Sequence, residues 1–133
     1  MRPPGRAGPR RSLMALSFKD EQRDGVTVLT LSGRLVLGDE SNQLRGVLKS
    51  LISEGHKNIL VDLGEVPYID SAGLGTLVAG FTSAQSAGGT MKLANLTKKI
   101  TEQLHITKLV TVFEVFDSVE AGVRSFSDSH PTS

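Results

Sequence analysis

Apolar residues along this chain change repeatedly from strand spacing to helix spacing. A weak alternation over residues 15–20 and a β-branched run over 26–31 predict two strands, joined by a tight turn at Asp24-Gly25. Asp39 is predicted to cap the helix that follows, and Gly55 to end it. Its apolar stripe has spacings of three, four, seven and eight residues, as expected for one buried helical face: Leu44, Val47, Leu48, Leu51 and Ile52.

The second half of the chain continues to alternate between strands and helices. Residues 59–63 form a nearly continuous apolar run, which predicts a strand buried on both faces. The remaining predicted elements are, in order, a helix from Ser71 to Gly88-Gly89, a strand over 91–94, a short helix over 97–104, a strand over 110–116 and a last helix. Asp117, with a Glu three residues on, is predicted to cap this last helix. The order β-β-α-β-α-β-α-β-α predicts an α/β fold with a mixed, mostly parallel sheet and helices packed on it.

Charge and length predict one domain with a distinct N-terminal tail. The 133 residues suit a single core, and we divide them into a disordered basic tail over 1–13, a domain over 14–127 and a frayed end over 128–133. Four of the 15 basic residues lie in the first eleven positions, so the rest of the chain has more acidic than basic residues. Such a body predicts no direct binding of nucleic acid. Residues 1–12 lack the apolar run typical of a secretory leader, and no stretch approaches the roughly 20 apolar residues of a membrane span, so we expect a cytoplasmic location and no membrane insertion.

Several chemistries are excluded by residue content. The chain has no cysteine, which removes disulfides, thiolate metal sites and cysteine nucleophiles. The three histidines, His56, His105 and His130, do not have metal-ligand spacing, and surface or cap roles are expected for them. No phosphate-binding loop follows the glycines, and no serine has an identifiable base partner. We therefore expect no metal, no cofactor and no enzyme activity.

The most informative segment joins the strand over 59–63 to the helix that starts at Ser71. Ser71 itself is predicted to cap that helix. Gly73 and Gly75 lie in its first turn, where each glycine costs about 0.5–1 kcal/mol relative to alanine. Either a close approach to the backbone or packing against the sheet must explain them. Asp62, within the apolar strand, is predicted to accept backbone bonds near the start of this helix.

The six residues 70–75 resemble the phosphorylation-site motif of STAS domains, which sulfate transporters and anti-sigma factor antagonists share. They read Asp70-Ser71-Ala72-Gly73-Leu74-Gly75. The resemblance extends over nearly all of residues 15–126, including Gly33-Arg34-Leu35 and the ending over 113–118. It implies a sheet of four to five strands with about four helices, packed on one face. It also implies that the six residues form the partner-binding surface.

The resemblance further implies a role as an anti-sigma factor antagonist. In that family the unmodified protein binds an anti-sigma factor that is also a serine kinase, and this binding releases the sigma factor. The kinase then phosphorylates the serine that corresponds to Ser71, the complex separates, and a serine phosphatase restores the unmodified form. Three alternatives remain open: a scaffold subunit of a signalling assembly, a subunit of a lipid or anion transport complex, and a sensor that binds a small molecule at the start of the helix.

Overall fold

The computed structural model describes residues 16–36 and 38–128, and within them one five-stranded sheet has the order β1-β2-β3-β4-β5. β1 is antiparallel to β2, and the other neighbours are parallel. The predicted element order and the mixed sheet are confirmed. The elements are β1 (Ser17–Arg23), β2 (Val26–Ser32), α1 (Asp39–Ser53), β3 (Asn58–Glu65), α2 (Ser71–Ser86), β4 (Thr90–Ala94), α3 (Lys98–Ile106), β5 (Val115–Phe116) and α4 (Val119–Asp128).

Helices cover both faces of the sheet, so the expectation of helices on one face is wrong. Alternate residues of a strand point to opposite faces, and Ile59, Val61 and Leu63 of β3 belong to the large core beneath α1, α2 and α3. Leu60 belongs to a second, smaller core, where Val123 of α4 packs. The apolar run of β3 is nearly continuous because the strand is buried on both faces.

The predicted strand over residues 110–116 is largely wrong. Only Val115–Phe116 pair with β4, and Leu109–Thr111 form a short 3-10 helix. Phe113 is buried and meets the Phe81 ring of α2 edge to face, with ring centroids 5.5 Å apart. Val112 and Phe113 therefore pack into the core from a turn, and tertiary packing overrides the strand preference of this β-branched segment.

Two predicted helix caps are displaced by one residue. Asp39 is the first residue of α1 and not its cap, because Gly38 occupies the cap position with a φ of 119°. Ser118, and not Asp117, caps α4: its Oγ accepts a hydrogen bond from Ala121 N at 3.1 Å. In both cases two neighbouring residues could occupy the cap position, and the conformation of the preceding loop decides which of them does.

The predicted tail over 1–13 and residues 129–133 of the predicted C-terminal end lie outside the described residues. None of the helices within the described ranges has the length and the hydropathy needed to cross a bilayer.

Candidate functional site

Three segments meet around the start of α2, at the carboxyl ends of the parallel strands. The segment after β2 pairs with the segment before α2: Leu35 N donates to Tyr68 O at 3.0 Å, and Asp70 N donates to Leu35 O at 3.2 Å. From α3, Gln103 Nε2 donates to Ile69 O at 2.7 Å. These bonds fix the residues before α2 from two sides, so the first turn of α2 has a defined position.

Asp70, and not Ser71, caps α2. The Asp70 carboxylate accepts a hydrogen bond from Gly73 N at 2.9 Å, and its extended backbone is typical of a cap residue. Ser71 is the first residue of the helix and is exposed. Within the described ranges, no hydrogen bond uses its hydroxyl. The helix end is thus stabilised without Ser71, and the Ser71 hydroxyl remains accessible to another molecule.

Glycine is required by packing at only one of the two glycine positions in the first turn. A Cβ on Gly73 would collide with Leu35 O and would lie 2.7 Å from Ile69 Cγ1, so Gly73 allows α2 to pack closely against the neighbouring segments. A Cβ on Gly75 would have no atom within 4 Å, and Gly75 is exposed. Packing within the chain therefore explains Gly73 but not Gly75.

The six predicted partner-binding residues divide between surface and core. Ser71 and Gly75 are exposed, and Asp70 and Ala72 are half-buried. Gly73 is buried, and the Leu74 side chain is only 4% exposed and packs in the large core. The structure therefore presents a small surface formed by one turn of α2, where Ser71 and Gly75 share a face because they are four residues apart.

An aromatic residue and two cations lie together beside this surface, which the sequence did not predict. Arg34 Cζ lies 5.9 Å from the centroid of the Tyr68 ring, and Lys99 Nζ lies 5.8 Å from it. The three residues are far apart in the sequence, and only the parallel pairing of Leu35 with Ile69 brings Arg34 beside Tyr68. Gln103 was missed for the same reason, because no local pattern marks its bond to Ile69.

Asp62 is not at the start of α2, so that prediction is wrong. Its Oδ1 accepts hydrogen bonds from Gly64 N at 3.0 Å and from Asn95 Nδ2 at 3.2 Å. Asp62 lies on the α4 face, where it lines a polar cleft with Ser118 and Glu120. It is a structural carboxylate, as expected, but it connects the ends of β3 and β4.

The described side chains include no group of three or more His, Asp or Glu that could hold a metal ion. His105 is exposed in the last turn of α3, and His56 is half-buried in the turn before β3. Neither histidine is close in sequence to Ser71.

The fold and the site define a class: a small α/β domain that presents a free serine hydroxyl at the start of a capped helix. The chain belongs to the STAS domain family, whose model matches residues 17–122.

Similar proteins agree with this assignment. The chain is 28% identical over 108 residues to the anti-sigma factor antagonist BtrV of Bordetella bronchiseptica, covering 81% of this chain and 92% of BtrV. The crystal structure of an anti-sigma factor antagonist from Thermotoga maritima superposes with a TM-score of 0.78 at 23% identity, covering 83% of this chain and 94% of that one. The phosphorylated form of SpoIIAA, from Bacillus, superposes with a TM-score of 0.65 at 18% identity, covering 81% and 97%.

Proposed function

We propose that this protein is a cytoplasmic anti-sigma factor antagonist controlled by phosphorylation of Ser71. In its unmodified form it binds an anti-sigma factor that is also a serine kinase, and a sigma factor is released. The surface of Asp70, Ser71, Ala72 and Gly75 forms the contact. Phosphorylation of Ser71 by the kinase ends the interaction, and a serine phosphatase restores it. The resemblance of the chain to BtrV supports the role of antagonist.

The observation that carries the proposal is the accessible Ser71 hydroxyl. Because Asp70 already caps α2, a kinase can approach the Ser71 oxygen without breaking a bond that stabilises the helix. The exposed, side-chain-free surface at Gly75 supports close approach of a partner backbone there. A glycine inside a helix otherwise only reduces stability.

Charge explains how one phosphate separates two proteins without unfolding either. A phosphoserine has a charge of about −1.5 to −2 at neutral pH, and a helix N-terminus favours negative charge. The fold of this chain therefore tolerates the modification. At the interface the same phosphate lies beside the Asp70 carboxylate, adds bulk and must lose its water, so the complex dissociates.

An affinity pull-down from the native cytoplasm tests the proposal. Wild type, Ser71→Ala and Ser71→Asp would be used as baits, and the retained proteins identified by mass spectrometry. We expect wild type and Ser71→Ala to retain an anti-sigma factor with a kinase domain, and Ser71→Asp to lose it. Retention of the same partner by all three baits, a membrane transport complex above all, would instead support a scaffold or transport-subunit role.

A further inference from the structure

Two cations share one exposed aromatic ring beside the start of α2. Tyr68 is 41% exposed, and both Arg34 and Lys99 are exposed residues that lie within 6 Å of its ring centroid. A cation over an aromatic face is attracted by the negative charge density of the ring. The ring therefore attracts both cations, although each belongs to a different segment. We refer to these three residues as the Tyr68 cluster.

The positive charge of the Tyr68 cluster is not compensated within the described part of the chain. The ion pairs found there involve Arg23 and Lys92, and neither Arg34 nor Lys99 has an acidic group within 4 Å. Two like charges held near one ring repel each other, and an anion bound between them would remove that repulsion. Beyond the first eleven residues the chain has more acidic than basic residues, so this cationic cluster differs in sign from the net charge of the body.

Hydrogen bonds connect the backbone around the Tyr68 cluster to the segment before α2. Arg34 precedes Leu35, whose carbonyl accepts from Asp70 N at 3.2 Å and lies against Gly73. Lys99 lies one helical turn before Gln103, which donates to Ile69 O at 2.7 Å. These bonds hold the backbone at Arg34 and Lys99 against the segment that leads into Ser71, so a protein that binds at Ser71 lies close to that backbone.

We propose that the Tyr68 cluster binds an acidic segment of the anti-sigma kinase, with Asp or Glu carboxylates paired to Arg34 and Lys99. This inference rests on the proposed function and adds to it the chemistry of the partner surface. The guanidinium of Arg34 suits a bidentate carboxylate, and Lys99 supplies a second, point-like charge. An acidic protein segment fits better than nucleic acid, because one tyrosine and two cations on an acidic body provide neither a stacking platform nor an extended basic surface.

The first test uses an acidic peptide and does not depend on the kinase. Acetylated hexaglutamate would be titrated into the isotope-labelled full chain while backbone amide shifts are recorded by NMR. We expect shifts at residues 33–36, 66–70 and 97–100 that the Arg34→Gln/Lys99→Gln variant loses. The control, Lys57→Gln/Arg124→Gln, removes the same two charge types from exposed positions at the other end of the sheet and on the α4 face, and it should keep the shifts.

Two outcomes of this titration would overturn the inference. Shifts of equal size in the Arg34→Gln/Lys99→Gln variant would show that the cluster does not select the peptide. Larger shifts at the same residues with hexathymidylate at equal concentration would make the cluster a nucleic-acid site.

A second test measures the dissociation constant of the purified anti-sigma kinase. For Arg34→Gln/Lys99→Gln we expect an increase of about tenfold or more at low salt, which shrinks in 0.5 M salt because ions screen the pairs. The control pair should change it less than about threefold, as is usual for exposed charges outside an interface. If both pairs behave alike while Ser71→Asp still abolishes binding, the proposed function stands and the inference about the Tyr68 cluster is wrong.

Discussion

At the scale of single residues, different side chains at the start of α2 cap the helix and present an accessible hydroxyl. The sequence alone does not show which residue does which. Asp and Ser are equally good helix caps, so the pair Asp70-Ser71 does not indicate which residue caps. The structure assigns the cap to Asp70, whose carboxylate accepts from Gly73 N. The motif was recognisable from six consecutive residues. Which of Asp70 and Ser71 caps the helix depends on the conformation of the loop before α2.

The two glycines of this turn give a matched pair of substitutions. Gly73→Ala should lower the free energy of unfolding by about 1–3 kcal/mol, because its Cβ would collide with Leu35 and Ile69. Gly75→Ala should raise it by as much as about 1 kcal/mol, because alanine is the better helix former and its Cβ meets open space. Urea denaturation of both variants measures the difference.

The Gly75→Ala variant also separates stability from binding. We expect it to bind the anti-sigma kinase more weakly than wild type although it is the more stable protein, since its added methyl group lies on the contact surface. A variant that binds as tightly as wild type would show that Gly75 does not contact the partner.

At the scale of elements, side chains from separate strands and helices hold the site and the second core together. Local patterns predicted most elements, because Leu44 and its helical neighbours repeat at the period of a helix and residues 59–63 form a nearly continuous apolar run. They failed for residues 110–116, where Val112 and Phe113 pack from a turn into the core. They also could not reveal bonds between elements, such as the one from Gln103 to Ile69.

Gln103 is expected to connect α3 to the segment that positions Ser71. Gln103→Leu removes the donor to Ile69 O, but it also removes the buried Gln103 Oε1, which has no hydrogen-bond partner among the described residues. The free energy of unfolding should therefore fall by an amount at the low end of the penalty for an unpaired buried carbonyl, about 1–3 kcal/mol. The substitution should also slow phosphorylation of Ser71, because the segment before α2 loses one support. The control is Gln85→Leu, since the Gln85 amide is exposed and makes only a 3.4 Å bond. Equal phosphorylation rates in the two variants would contradict this positioning role.

Lys92 of β4 is a nearly buried lysine that contacts both α4 and the segment before β5. Its side chain is nearly buried, its Nζ lies 3.1 Å from both Glu114 Oε1 and Ser125 Oγ, and the Phe126 ring centroid is 4.5 Å away. Glu114 is exposed and Ser125 also bonds Gly122 O, so neither group would be left unsatisfied without the ammonium. The aliphatic chain of Lys92 should then contribute more to stability than its charge.

Substitutions at Lys92 test this division. Lys92→Met keeps the volume and should change the free energy of unfolding by less than about 1 kcal/mol, whereas Lys92→Ala leaves a cavity beside Phe126 and should lower it by about 2–4 kcal/mol. Thermal and urea unfolding measure both. If methionine is as destabilising as alanine, the ammonium and its bonds are what hold α4 to the sheet.

At the scale of the whole molecule, the first turn of α2 packs in the core on one side and is exposed on the other. The sequence predicted a mixed sheet with a strand buried on both sides, because that strand is apolar without alternation. The face of the sheet that each helix covers was not predictable from local patterns, because the apolar stripe of α4 resembles those of the other helices. The placement of α4 on the opposite face depends on the long-range contact of Val123 with the Leu60 side of the sheet.

Because Ser71 lies on the exposed side of this turn, a modification there is expected to change binding and not folding. Leu74 and Leu77 anchor α2 in the large core from one side, while Ser71 and Gly75 face solvent on the other. A phosphate on Ser71 therefore meets water, the helix N-terminus and the Asp70 carboxylate, but no core residue.

The most direct measurement is a calorimetric titration of the purified anti-sigma kinase with the unmodified chain and with the chain phosphorylated on Ser71, with thermal unfolding of both forms. The account predicts melting temperatures within a few degrees of each other and a dissociation constant at least about 100-fold higher for the phosphorylated form, as expected when like charges are desolvated at an interface. Equal affinities of the two forms would contradict control by Ser71, and a large loss of thermal stability would show that the phosphate acts on the fold instead.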